Sequence, residues 1–227
     1  MLNVAENLAR LRDTMVQAAS RYHRPADSVT LVAVSKMQPL VKIEEAIQAG
    51  QRHFGENYVQ EAIPKITALK NKDLIWHFIG PIQSNKTKLI AEHFQWVHGI
   101  DRLKIAERLQ AQRSPFLPPL NCCIEVNIDN EKTKSGVNEA DMIPLAQKII
   151  GMPCLKLRGF MVIPKVYDSF EDQCRVFERV KMLFDRLSQQ GLGMDTLSMG
   201  MSHDFEAAIA SGATMIRIGT AIFGERN

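Results

Sequence analysis

No stretch of this sequence stays apolar for the ~18 residues a membrane-spanning helix requires, so a transmembrane protein is not expected. Cysteine is scarce: Cys122, Cys123, Cys154 and Cys174 are the four in 227 residues, and none forms a C-x-x-C pair. That argues against a disulfide framework and for reduced thiols in a cytoplasmic protein. The six histidines (His23, His53, His77, His93, His98 and His203) are scattered without metal-ligand spacing, so no metal site is expected. Charge of one sign is also missing. The 28 basic and 25 acidic residues leave a net +3, too little to argue for nucleic acid or a membrane surface. Low-complexity segments and linkers are absent too. Pro115, Pro118 and Pro119 cluster, but the surrounding pattern resumes at once, so they mark a loop inside one domain spanning 1–227. The N-terminal stretch lacks a signal-type apolar region, and Glu6 and Asp13 argue against a transit peptide.

What the chain does have is alternation. Val4, Leu8, Leu11 and Met15 form the apolar stripe of an N-terminal amphipathic helix packed on the body. Eight β-branched or apolar runs then read as strands: 29–35, 53–56, 74–79, 96–100, 122–128, 155–162, 195–198 and 214–218. Helical patterns separate them at about 40–49, 58–70, 85–92, 102–112, 138–150, 170–190 and 203–210. Gly50 and Gly191 close two of these helices. Asp101 and Ser202 stand where N-caps belong. Strand plus helix, repeated with one helix in front, predicts a (β/α)₈ TIM barrel. The rival is a doubly wound open sheet, which usually carries a glycine-rich first turn. Here that turn is Ser35-Lys36-Met37-Gln38-Pro39.

In such barrels the active site lies at the C-terminal ends of the strands. That rule gathers Lys36, Asn57, His77, Asn127, Met161, Ser198, Arg217, Gly219 and Thr220 at one rim. The stretches "SMGMSHDFEAAI" and "IRIGTAIFG" put Met201, Ser202, Gly219 and Thr220 in the last two loops, where barrels often hold phosphate on backbone N–H groups. Ser202 alone is equally well explained as a cap. Lys36 alone reads as a surface lysine or a phosphate ligand. A lysine facing a phosphate site is also placed to form a Schiff base with a carbonyl cofactor, and pyridoxal 5′-phosphate (PLP) carries both groups. Arg217 would face the pyridine nitrogen, or else pair with Asp195 or Glu56. An arginine only donates, so it would leave that nitrogen unprotonated and weaken the ring as an electron sink. Lys134, after strand five, is a solvated loop lysine, a second amine or a phosphate donor.

The stretches "LVAVSK", "FGENYVQE", "WHFIGPIQSNK", "KSG", "LRGFMVIP", "MGMSHDFEAAI" and "RIGTAIFG" together resemble the pyridoxal phosphate homeostasis proteins. The likeness runs from Leu31 to Gly224; residues 101–120 add little to it. It implies a single barrel similar to the N-terminal domain of alanine racemase. By that resemblance Lys36 is the Schiff-base lysine, Ser202, Gly219 and Thr220 hold the phosphate, and Arg217 faces the ring nitrogen. Asn57, Ser198 and Met201 line the pocket, and His77 has no role assigned. The implied function is to hold PLP and deliver it, with apo PLP-dependent enzymes as recipients, in a cytoplasmic monomer that affects amino-acid and keto-acid balance without robust catalysis. The alternative is a racemase. Two-base racemisation needs a second acid/base across the cofactor, and none of Tyr22, Tyr58 or Tyr167 is an obvious candidate. A phosphate-sugar enzyme in which Lys36 only pairs with an anion is the third reading.

Overall fold

Parallel strands must be joined by crossovers, and the helical patterns between the β-runs supply them. In the computed structural model, which describes residues 3–131 and 133–225, eight strands close into a parallel barrel in sequence order. They are β1 (Thr30–Val34), β2 (His53–Glu56), β3 (Ile75–Phe78), β4 (Trp96–Ile100), β5 (Leu120–Val126), β6 (Leu155–Val162), β7 (Thr196–Ser198) and β8 (Met215–Ile218). Around them lie α1 (Val4–Arg21), α2 (Leu40–Gln48), α3 (Val59–Ala68), α4 (Thr87–His93), α5 (Leu103–Gln112), α6 (Glu139–Ile150), α7 (Phe170–Leu187), α8 (Phe205–Ala210) and α9 (Thr220–Phe223). The TIM-barrel expectation holds, and the open sheet is set aside.

Alternation along the strands separates two cores. Val32, Trp96, Cys123, Met161 and Met215, with Ile75 against them, fill the barrel. Their strand neighbours Leu31, Val97, Ile124, Phe160 and Ile216 join the larger cluster under the helices. α1 starts on a capping box between Asn3 and Glu6. Val4, Leu8, Leu11 and Met15 are buried as the stripe predicts, and Asn7 Nδ2 donates to the Ile222 carbonyl at 2.9 Å.

Two expected caps are corrected. α5 begins with Arg102 at the cap position, and Asp101 receives the Arg102 guanidinium at 2.7 Å instead of capping the helix. α8 begins at Phe205, three residues beyond Ser202. Asp204 accepts from the Met201 amide at 2.6 Å, and that turn takes the place of a Ser202 cap. α9 forms directly after β8, where the sequence pattern predicts only a loop. The long helix before β7 ends at Leu187 and passes through a wider turn over Ser188–Leu192.

β6 approaches β7 closely at Gly159. The β5–β6 register shifts between Cys122 and Cys123, and a Cβ on Gly159 would sit 1.8 Å from the Thr196 carbonyl oxygen. Only glycine fits there. Gly159→Ala is therefore expected to cost about 3 kcal/mol or more, read as a lower urea midpoint than wild type; an unchanged midpoint would contradict this packing.

Candidate functional site

The strand ends enclose a cavity of about 260 Å³. Lys36, Asn57, Met201, Ser202, Arg217, Gly219 and Thr220 all line it, with Val34, Ile79, Ile163 and His203. Of the eight residues expected at the site, only Ser198 is not on the cavity wall. It is fully buried below, where it carries Arg217.

Lys36 follows β1 in register. Val32 packs in the barrel interior and Val34 lines the cavity, so two residues further the Lys36 side chain reaches the same mouth. The backbone on either side of it is clamped. Ser35 Oγ donates to Glu56 Oε1 at 2.6 Å, and Lys65 Nζ donates to the Ser35 carbonyl and to Glu56 Oε1, both at 2.8 Å. Lys65 also donates to Glu61 Oε1 at 2.5 Å, and the same oxygen accepts from the Met37 amide. Met37 has φ 59, a left-handed conformation that costs a non-glycine residue about 1 kcal/mol or more. The clamp holds it there, and the lysine is aimed inward. Burial pushes the Glu56 carboxyl up, and Lys65 pulls it back down.

Opposite lie the two loops. Gly200 has φ 98, and a Cβ there would meet Ala208 Cβ at 2.6 Å, so only glycine lets this loop fold onto α8. The loop presents Met201 and Ser202 to the cavity, and Ser202 is exposed. On the other loop α9 starts at Thr220 with Gly219 at its cap position and no side chain capping it. Its first amides sit at the same mouth as the Ser202 and Thr220 hydroxyls.

Arg217 closes the floor. On β8 it shares a face with Met215, which lies inside the barrel, so the open question of which face turns inward is answered. Its NH1 donates to the Ser198 carbonyl and to Ser198 Oγ, each at 2.7 Å, and its NH2 to the Val162 carbonyl at 3.0 Å. The salt bridge considered from sequence does not form: Asp195 pairs with Arg158 and Glu56 with Lys65. Burial lowers the Arg217 pKa to about 10, which still leaves it charged at neutral pH. Three of its five N–H groups are held by the wall, and the residue itself lines the cavity.

Sequence reading missed several residues that serve this site. Lys65 carried a signal, a lysine in register with Val59 and Ala62 on the buried face of α3. Glu125 shares the inward face of β5 with Cys123; burial, then Asp101, raises its pKa to about 7. His98 and His53 join His77 in a chain described below. Asn127 instead closes its own loop through Glu131, and Lys134 pairs with Glu131 at 2.6 Å. No metal-binding cluster occurs among the described residues, nor any helix long and apolar enough to cross a membrane.

A barrel with a lysine, an arginine and two anion-type loops at one mouth is the architecture of a known class. The family model described as alanine racemase, N-terminal domain, matches residues 6–227. The pyridoxal phosphate homeostasis protein of Escherichia coli K12 is 50% identical over 230 residues, covering 100% of this chain and 98% of that one. Its counterpart in Pseudomonas aeruginosa is 51% identical over 227 residues, covering 100% and 97%. This chain belongs to the family of the pyridoxal phosphate homeostasis proteins. The solved structure of PipY from Synechococcus elongatus PCC7942 with PLP bound superposes with a TM-score of 0.85 at 38% identity, covering 98% of this chain and all of that one. Alanine racemase from Corynebacterium glutamicum shares the fold at a TM-score of 0.70 and 15% identity, covering 97% of this chain and 62% of its own.

The clamp yields a test. Lys65→Met leaves Glu56 buried without its counter-charge, and is expected to cost about 3–5 kcal/mol at pH 7.5. The Glu56 pKa is already raised by burial, so protonation relieves the variant: its deficit against wild type should shrink as pH falls toward the ordinary glutamate range near ~4.3. Urea titrations at the two ends of that range check this; a deficit independent of pH would contradict it.

Proposed function

We propose that this protein binds PLP at the barrel mouth, with Lys36 as the Schiff-base residue, and that it stores and delivers the cofactor to apo-enzymes in the cytoplasm. The observation that carries the reading is the convergence of Lys36, Arg217, Ser202, Gly219 and Thr220 on one cavity. The cavity residues fit the group. Asn57 Oδ1 is buried without a partner at the cavity wall, an acceptor awaiting a donor. Two guanidinium N–H groups of Arg217 suit an unprotonated ring nitrogen. The hydroxyls of Ser202 and Thr220 and the uncapped start of α9 suit a phosphate. When bound, PLP would supply an aldehyde for the lysine amine and a conjugated ring. The protein's own residues would orient Lys36 through the Ser35–Met37 clamp and fix the ring edge through Arg217.

A carrier is favoured over a racemase by what faces the cavity. Arg217 would donate to a ring nitrogen and keep its own proton, which would leave the ring a weak electron sink. Tyr167 donates its hydroxyl to Asp129 at 2.7 Å, and burial with that carboxylate raises its pKa to about 12, unsuited to proton exchange at neutral pH. Tyr22 stacks on Phe170 and does not line the cavity. Tyr58 lines a neighbouring cavity behind Asn57. The PLP-bound relative disfavours the phosphate-sugar reading.

Two measurements test the proposal. Adding PLP to the purified protein should produce the visible absorbance band of a lysine-bound PLP, and Lys36→Ala should abolish it. A wild-type protein that stays colourless would sink the cofactor reading. Loaded protein incubated with alanine in D₂O should exchange the α-proton far more slowly than ~1 s⁻¹. Exchange at or above that rate would make it a racemase.

A further inference from the structure

A chain of hydrogen bonds crosses the barrel interior from the site to the opposite end. His98 Nδ1 lies 2.9 Å from Ser198 Oγ, the oxygen that also accepts from Arg217. His98 Nε2 is 2.9 Å from His77 Nδ1, and His77 Nε2 is 2.9 Å from His53 Nδ1. The strands place them on a rising diagonal. His53 pairs with Ile75, two residues before His77, and His77 pairs with Trp96, two residues before His98. His53, at the start of β2, is half-buried and lines a surface cavity at the far end of the barrel, together with Arg12 and Arg52. His77 and His98 are fully buried.

Proton counting fixes the direction of the chain. Burial, and then the Arg217 charge, push the His98 pKa down to about 3; burial, then His98 and His53, hold that of His77 well below its ordinary value. Both imidazoles are therefore neutral, with one N–H each. If the N–H groups sat on Nδ1, Ser198 Oγ would accept from both His98 and Arg217, and its own proton would lack an acceptor in a fully buried site. With the N–H groups on Nε2, Ser198 donates to His98, His98 to His77 and His77 to His53, and every contact is satisfied. All the donors then point away from Arg217, so the chain turns its negative ends toward the guanidinium.

We propose that His98, with His77 and His53 behind it, is a positioning relay for Arg217: a line of neutral, co-aligned hydrogen bonds standing where a counter-ion would. It fixes Ser198 as an acceptor and aims the two remaining N–H groups of Arg217 at the cavity. A carboxylate in that place would neutralise the guanidinium and compete for the same N–H groups. The consequence for PLP rests on the function proposed above; the direction of the chain does not.

Two experiments test it. Long-range ¹H–¹⁵N spectra of the ligand-free protein, with histidines assigned by substitution, should show His98 and His77 as neutral Nε2–H tautomers at pH 7. An Nδ1–H tautomer or an imidazolium at either position overturns the relay, whether or not PLP binds. In the second, His98→Leu removes the acceptor of the Ser198 proton, whereas His98→Asn keeps an oxygen near the place of Nδ1. His98→Leu should weaken PLP binding at least about tenfold and move the visible band of bound PLP, and His98→Asn should restore both most of the way. A folded His98→Leu variant with wild-type affinity and band overturns the proposal, as does His98→Asn behaving like His98→Leu. Failure of His98→Leu to fold leaves the tautomer spectra to decide. A wild-type protein that shows the expected tautomers but binds no PLP would defeat the functional reading alone.

Discussion

Arg217 puts a full positive charge inside a β-barrel, and the floor of the site is built to keep that charge without cancelling it. Among the described residues no carboxylate is hydrogen-bonded to it. Its acceptors are the Ser198 and Val162 carbonyls and the Ser198 hydroxyl. Ser198 and Val162 are the last residues of β7 and β6, where the ladder ends and carbonyls become available for other donors. A barrel therefore offers acceptors at its C-terminal rim without needing an acid there. Asp204 and Glu125 support the charge only from further away. A guanidinium held this way has full donor strength left for whatever enters the cavity.

Lys36 is treated in the opposite manner. The charges that position it are paired and lie outside the barrel wall, where α3 brings Lys65 and Glu61 against Glu56 on β2. This cluster grips the backbone on both sides of Lys36. Lys36 and Arg217 thus meet at one mouth, each positioned by a separate set of contacts. The exposed hydroxyls of Ser202 and Thr220 lie on the same rim. The mouth combines a neutral-acceptor floor, a braced lysine and an anion-suited edge, each produced by a different layer of the fold.

The alternation of strand and helix was legible because each β-run is short, apolar and bounded by turn residues, and a closed barrel puts consecutive units side by side. Lys36 was legible by its place at the end of the first β-run, at the rim where barrel sites lie. Arg217 was not fully so: Met215 and Ile216 are both apolar, and only packing shows that Met215 turns inward. Ser202 misled because the residues after it form a local turn through Asp204, which postpones the helix. The histidine chain lay out of reach of sequence reading. Positions 53, 77 and 98 have no local spacing in common; the stagger of adjacent strands brings them together, and Ser198 and Arg217 join them from across the barrel. Signals within one element survive in sequence, whereas those made by the register between elements do not.

The polar diagonal also bears on how the barrel tolerates such an interior. Val32, Ile75, Trp96, Cys123, Met161 and Met215 pack around it, and His77 stacks on Trp96 with ring centroids 5.4 Å apart. Buried polar groups are costly when unsatisfied and cheap when every atom is bonded. Imidazole suits this place because its two nitrogens lie on opposite edges of a flat, largely apolar ring: it takes a bond from one strand, passes one to the next and offers its faces to hydrophobic neighbours. A carboxamide would carry surplus donors into an apolar core. A hydrocarbon would pack as well but would leave the Ser198 proton stranded below Arg217. The interior is thus constrained from two sides at once, by the volume an imidazole fills and by the single hydrogen it hands on.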